Sequence, residues 1–577
     1  MKKRWIAILL CISMLSGSLL TGCTGQTATT NEAIQESVDA SETEEGAEAV
    51  DEAIAESPMI QANAGELNVI DDKYRTFFEI FVYSYYDSDG DGIGDIQGLI
   101  QKLDYINDGD DTTTDDFGIN GIWLMPIMPS TTYHKYDVID YYDIDPEYGT
   151  LDDFKKLIEE CHNRDIKVII DMVINHTSSE HEWFTTACDY LKGLDGKEPS
   201  ESECPYFAYY NFSKEKVAEY YYSVPGTDWY YEGKFWSGMP DLNLANPAVR
   251  QEFDAITDFW MEIGVDGFRL DAAKEYYSDD TAANVEVLSW FNDMVKAKDE
   301  NTYIVAEVWT GIDVYAKYYE SGIDSIFDFG FADSDGLIAN VVKGLGGKNA
   351  TSYGKSVASL EERFEKYNEN YIDAPFYTNH DTGRSAGYYN GENAEAQLKM
   401  SAALNLFMSG SVFVYYGEEL GMKGSGKDEN KRAPMYWTQD AEAEGMCGGP
   451  KDMDEVEMIY PSLEEQKEDS YSIYNFYKQA VLLRNRYPEI ARGTVTYIEE
   501  LSDKNVCVIM KEYEGSKILL AFNISNEEMV VDLTALNVDG IESADLQLGG
   551  MLTTGEKAVE KESTSLVLPE YSVAILK

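Results

Sequence analysis

Four acids stand on or just after short apolar runs: Asp171 in Asp-Met-Val-Ile-Asn-His, Asp271 in Gly-Phe-Arg-Leu-Asp, Glu307 after Tyr-Ile-Val-Ala, and Asp381 in Phe-Tyr-Thr-Asn-His-Asp. One such acid is ordinarily a solvated or ion-paired group. Several on separate runs, accompanied by Arg269, His176 and His380, exceed what a structural account requires. Cleavage of a glycosidic bond needs this set: one carboxylate attacks the anomeric carbon and a second, kept protonated, donates to the leaving oxygen. Arg269 precedes Asp271 by two positions, so along a strand both side chains share a face. The guanidinium favours an ionised Asp271, the state a nucleophile needs. Glu307 is then the acid, its pKa raised by partial burial and neighbouring carboxylates.

These groups meet only if the runs that carry them are parallel. Eight apolar runs occur, Glu79–Ser84, Gly121–Pro126, Lys167–Asn175, Gly267–Asp271, Tyr303–Val308, Ser325–Phe329, Ala374–Asn379 and Ser411–Gly417. Helix-like patterns such as Leu151–Arg164 and Asn246–Ile263 lie between most of them. Continuous apolar runs separated by helices predict an α/β fold, a (β/α)8 TIM barrel with its chemistry at the C-terminal strand ends. The long Tyr- and Gly-rich stretch 177–240, without clear periodicity, predicts a small inserted domain over the barrel mouth. Short β-type runs after Pro488 predict a C-terminal antiparallel β-sandwich over 488–577. The barrel itself is then 71–176 and 241–487.

The 577 residues carry 106 Asp+Glu against 45 Lys+Arg, a formal net charge of −61, which argues against nucleic acid and anionic lipid surfaces as partners and for a neutral substrate. Lys2, Lys3 and Arg4 precede an apolar stretch that ends in Leu-Thr-Gly-Cys23. That is an export signal over 1–22, and its ending resembles a bacterial lipobox, implying acylation of Cys23. The protein is therefore expected on the outer face of a bacterial membrane, touching it only through this anchor. Residues 24–66 contain no aromatic residue, Lys or Arg, and the stretch 23–70 is predicted to be a disordered acidic tether. Five further cysteines follow the anchor without CxxC spacing, so no disulfide framework is indicated; Cys188 and Cys204 share one loop-like stretch and could pair after export, though no spacing indicates it.

From about Lys73 onward the chain resembles the α-amylase family, glycoside hydrolase family 13. The resemblance rests on ordered motifs: DMVINH from Asp171, MPDLN from Met239, GFRLDAAKE from Gly267, AEVW from Ala306 and FYTNHD from Phe376. It implies Asp271 as nucleophile, Glu307 as general acid/base and Asp381 as a third carboxylate gripping two hydroxyls of the reacting glucose. It further implies His176 and His380 as ligands of that sugar, Tyr136 stacking below it, Arg269 orienting Asp271, and Asp171 as a structural acid. Lys274 matches a position that reaches the next glucose units, while Glu275 departs from the His common there. Trp183, Trp229, Tyr230 and Trp236 are candidate stacking residues, and Lys431–Trp437 resembles a loop on the aglycone side without a catalytic role.

Asp87-Ser-Asp-Gly-Asp-Gly-Ile-Gly-Asp95 presents alternating hard oxygen donors, with Asp87, Asp89, Asp91, the Ile93 carbonyl and Asp95 as expected Ca²⁺ ligands. It starts like an EF-hand loop, but the twelfth position is Gly98 rather than Glu. Asn175 is a weaker candidate for a separate calcium. MPDLN lies between motifs resembling those of oligo-1,6-glucosidases and neopullulanases, and Ala272 resembles the residue in enzymes acting on α-1,4 links, so the resemblance implies hydrolysis of α-1,4 links in starch and maltodextrins. An oligo-1,6- or α-glucosidase and a transglycosylase remain open, as does a non-catalytic glucan-binding lipoprotein. The sequence does not fix chain-length preference or oligomeric state.

Overall fold

The computed structural model describes residues 72–577 except Asp111 and Asp279; the predicted export signal, Cys23 and the acidic tether lie outside the described residues. Eight parallel strands form one sheet: β1 (Thr76–Ile80), β2 (Gly121–Leu124), β3 (Lys167–Met172), β4 (Gly267–Leu270), β5 (Tyr303–Ala306), β6 (Ser325–Phe327), β7 (Ile372–Ala374) and β8 (Val412–Tyr415). The hydrogen-bonded order runs β7-β6-β5-β4-β3-β2-β1-β8. Ser411 and Phe413 donate to the carbonyls of Asp373 and Pro375, which brings β8 against the β7 segment and nearly closes the barrel.

All eight expected strands form, with shifted ends. The first begins at Thr76 rather than Glu79, and Val82–Ser84 is a 3-10 turn. A charged Glu reads as a boundary in sequence, yet Glu79 lies inside β1 and is 1% exposed because its carboxylate is paired in the interior. The apolar runs overshoot β3 to β7 at their C-terminal ends, where the chain stays buried after leaving the ladder.

Period-two alternation explains why the runs are apolar on both faces. Phe77, Trp123, Ile169, Val305, Phe327 and Phe413 point inward and pack together in the barrel interior. Phe78, Ile122, Ile170, Phe268 and Ile304 pack outward in the larger core. Removing one such ring or branched chain from water contributes about 1.5–3 kcal/mol. Gly267 is required where β3, β4 and β5 meet: a Cβ there would lie 2.2 Å from the Tyr303 carbonyl.

Helices follow the strands as the pattern predicts. Leu151–His162 starts with a Thr150–Asp153 capping box, and Pro247–Ile263 starts at Asn246 and ends at Gly264 with φ 111°. The stretch 177–240, expected to be a small inserted domain without clear periodicity, contains a helix at Glu182–Lys192 and a three-stranded antiparallel sheet drawn from Phe212–Glu232. Cys188 lies on that helix rather than in a loop, and both Cys188 and Cys204 are buried free thiols. After a short helix at Pro488–Arg492, the chain forms a five-stranded and a three-stranded antiparallel sheet. Four of these strands are Met529–Asp532, Leu548–Leu552, Glu560–Glu562 and Ser565–Leu568.

Candidate active site

The inward period continues past the apolar interior and places the ionisable groups one layer higher. Phe77 is followed by Glu79, Ile169 by Asp171, Gly267 by Arg269 and Asp271, and Val305 by Glu307. Strand register brings Asp171 opposite Arg269. Beyond β4 the chain turns sharply at Ala272, a non-glycine residue at φ 47°, a conformation that L side chains adopt at some cost.

Arg269 is the hub. It is fully buried, its guanidinium lies 5.1 Å from the Trp123 ring, and it does not line the cleft, a place that suits a residue orienting Asp271 rather than one touching substrate. Its Nη1 donates to Asp171 Oδ1 and Oδ2 at 2.8 and 3.0 Å and to Asp271 Oδ1 at 2.8 Å, while Nη2 donates to Glu307 Oε2. One buried cation thus holds three carboxylates, and burial without such pairing would be prohibitive. Burial raises Asp171 to about 6 although Arg269 opposes the shift. Burial also raises Glu307 to about 7; Arg269 works against this, and the Asp271 and Asp381 charges add to it. Asp271 and Glu307 both reach the cleft, each with a side chain 12% exposed.

Asp381 lies across from this pair. His380 Nε2 is 3.0 Å from its Oδ2, and Arg432 Nη2 donates to its Oδ1 at 3.2 Å. Burial opposes ionisation of Asp381, but His380 and then Arg432 outweigh it and hold the carboxyl far below its ordinary range. Tyr136 donates its hydroxyl to Asp171 Oδ2 at 3.0 Å, and the same oxygen is 2.8 Å from His380 Nε2. His176 is buried, which lowers its pKa, and its Nε2 is 3.2 Å from the Tyr136 carbonyl. Lys274 lines the cleft with its Nζ 3.1 Å from Glu275, which Lys234 approaches from the other side at 3.2 Å.

The cleft encloses about 450 Å³. Its aromatic walls are Phe235 and Trp309, 48% and 47% exposed, rather than the four aromatic residues singled out in the sequence. Trp183 and Trp229 are buried in the packing of the inserted segment, and Tyr230 and Trp236 do not line the cleft. Trp309 was legible, standing two positions after Glu307 in AEVW; Phe235 lies in an aperiodic loop that offers no signal. Asp428 and His134 also line the cleft, as does Arg432 from the Lys431–Trp437 loop, which was expected beside the site without a catalytic role. Glu79, which accepts from His380 Nδ1 at 2.5 Å, was missed because it reads as a strand boundary.

Away from the cleft, carboxylate oxygens of Asp87, Asp89 and Asp95 lie within 4.8 Å of one another, a hard-oxygen set that fits Ca²⁺. Asp91 is outside that group; its carboxylate accepts the Ile93 N–H at 2.8 Å. The missing twelfth-position Glu has a structural cause. Asp95 caps the helix Ile96–Gln101 by accepting the Gly98 N–H, and a Cβ on Gly98 would meet the Tyr86 carbonyl at 2.1 Å. Asn175 is buried and donates to Asp241 at 3.3 Å.

Comparison with known proteins places this geometry. Residues 79–493 match the family described as alpha amylase, catalytic domain. Alpha-amylase 3 of Dictyoglomus thermophilum is 35% identical over 517 residues, spanning 88% of this chain and 93% of the relative. The solved structure of Eubacterium rectale Amy13B is 52% identical with a TM-score of 0.84, covering 88% of this chain and 96% of that one. A probable oligo-1,6-glucosidase of Bacillus subtilis is 28% identical over 79% of this chain and 91% of its own length.

Proposed function

The chain belongs to the α-amylase family of glycoside hydrolases, and from that membership we propose that it cleaves α-1,4 links in starch and maltodextrins with retention of configuration. Asp271 attacks the anomeric carbon while Glu307 gives its proton to the leaving oxygen; Glu307 then takes a proton from the water that releases the glycosyl–Asp271 ester. Asp381, with His380 and His176, grips the reacting sugar, and Tyr136 lies beneath it. The observation that carries this reading is a single buried guanidinium holding two carboxyls that reach the cleft, one of them raised to about 7.

The cleft supports a neutral substrate. Its lining cations, Lys274 and Arg432, are paired with Glu275 and Asp381 and leave no free positive charge for a phosphate or uronate. Phe235 and Trp309 offer apolar faces to sugar rings beyond the scissile bond. The Asp87–Asp95 loop is proposed to hold a structural Ca²⁺ through Asp87, Asp89 and Asp95 with further loop oxygens, stiffening the turn after β1 without taking part in the chemistry. Acylation of Cys23 is proposed to keep the enzyme on the outer face of the cell, where polymeric glucans are met.

The test is product analysis on soluble starch, maltoheptaose, pullulan and isomaltose, with Asp271→Asn as control. Mixed maltooligosaccharides from starch, released first as the α-anomer and absent with the variant, are expected. Glucose alone from short chains or isomaltose would move the activity to a glucosidase. Binding without turnover would leave a glucan-binding protein.

A further inference from the structure

Glu79 has no place in the reaction as described, yet it is a charged residue inside a barrel strand, 1% exposed, one layer above Phe77. An unpaired carboxylate in that position would cost several kcal/mol or take up a proton. Its Oε1 lies 2.5 Å from His380 Nδ1 and 3.4 Å from the His380 backbone N–H. Holding a histidine that adjoins the third acid of the site is a function distinct from any assigned above.

The other ring nitrogen fixes the proton count. Tyr136 donates its one hydroxyl hydrogen to Asp171 at 3.0 Å, so at 2.8 Å from His380 Nε2 the phenol oxygen is an acceptor. Asp381 Oδ2, 3.0 Å from the same nitrogen, is an acceptor as well. Nε2 therefore carries hydrogen. Nδ1 faces a carboxylate, which also accepts. A neutral imidazole has one N–H and serves one side only; both sides are satisfied when the ring carries two.

We propose that Glu79 is a positioning residue that keeps His380 as an imidazolium, committing its Nε2–H as a donor toward Asp381, the carboxylate that faces the reacting sugar in the cleft. This rests on the reading of Asp381 as the acid that grips that sugar. The groups facing His380 are Glu79 from β1, the Tyr136 phenol from the loop after β2, the Trp123 ring edge from β2, and Asp381 on its own segment. Asp171 and Arg269 stand one contact further away through Tyr136, Glu307 lies beyond Arg269, and Arg432 lies behind Asp381. Burial alone would discharge the ring, but Asp381 and Glu79 together reverse this and raise its pKa to about 9. The fixed charge keeps Asp381 ionised before substrate arrives, so no proton has to move when its hydroxyls are bound.

The chain has five histidines, few enough for nitrogen NMR of protein labelled only at histidine, with His380→Gln assigning the signal. In the wild type the His380 ring should keep both protons through neutral pH and lose one near pH 9. In Glu79→Gln it should lose that proton at least about tenfold more readily. The ratio of wild-type to Glu79→Gln kcat/KM on maltoheptaose should then rise with pH between about 5 and 8, with kcat carrying more of the loss than KM. A purely structural Glu79 would give a ratio independent of pH, and that outcome would overturn the proposal. So would a neutral tautomer of His380 at pH 7 in the wild type, the pattern expected if Glu79 holds the proton and donates it. The wild-type titration needs no substrate and no Glu79 variant, so it decides the point even for an enzyme that proves inactive on glucans.

Discussion

At the scale of single residues, Glu307 carries the sharpest consequence of the geometry. A general acid must hold its proton when the leaving oxygen departs, and burial raises this carboxyl to about 7 against the pull of Arg269. Activity should therefore fall on the alkaline side as pH rises through about 7, since the acid is then ionised. Glu307→Gln removes the proton donor while leaving the Arg269 contact a partner of similar shape. The expected loss on starch is about 10²–10⁴-fold in kcat. Much of that loss should disappear with α-maltosyl fluoride, whose leaving group needs no proton. An equal loss on both substrates, measured by initial rates, would remove Glu307 from the acid role.

At the scale of elements, the turn after β1 is where a ligand should matter most. Asp87 accepts backbone N–H groups from Asp89, Gly90 and Gly92, and Asp95 caps the helix that follows. The loop is thus already folded on itself, with three carboxylates left facing one another. A divalent cation held there would relieve that repulsion and, by binding the folded loop alone, would stabilise by mass action. Calorimetry should show Tm several degrees higher in millimolar Ca²⁺ than in EGTA, with the difference largely lost in Asp87→Asn. An unchanged Tm on chelation would leave the loop as an acidic turn.

At the scale of the molecule, a set of buried acids makes stability fall as pH rises. His134 and His181 oppose this, since burial lowers both to about 4 and they cost stability below their ordinary value. Burial raises Glu419 and Asp241 to about 7, and Asp171 and Asp328 to about 6. Each keeps its proton in the folded protein above the pH at which the unfolded chain releases it. Their contribution is therefore present at low pH and lost as pH rises through 6 to 7. His380, raised to about 9 by Asp381 and Glu79 in spite of its burial, contributes fully below its ordinary value, and that contribution fades toward pH 9. Asp381, held low by His380 and Arg432 against the effect of burial, contributes above its ordinary range and loses this only in strong acid. Thermal unfolding at constant ionic strength should accordingly give a higher Tm at pH 5.5 than at pH 8.5; the opposite order would mean that the buried acids are ionised and paired in ways their surroundings do not suggest.

Sequence by itself determined the barrel and the motif residues that converge at its mouth. Parallel strands buried on both faces must be continuous apolar runs, and the inward period of two carries Asp171, Arg269, Asp271 and Glu307 onto one face whatever the loops do. Tertiary structure alone decided which side chains close around them. Phe235, Arg432 and His134 reach the cleft from loops without periodicity, where neighbours distant in sequence, not local pattern, set the direction of each side chain. Glu79 shows the limit most directly. Along the chain it is a charge that interrupts an apolar run, and only the closure of the barrel, which brings it to His380 across 301 residues, turns a costly buried carboxylate into one half of an ion pair.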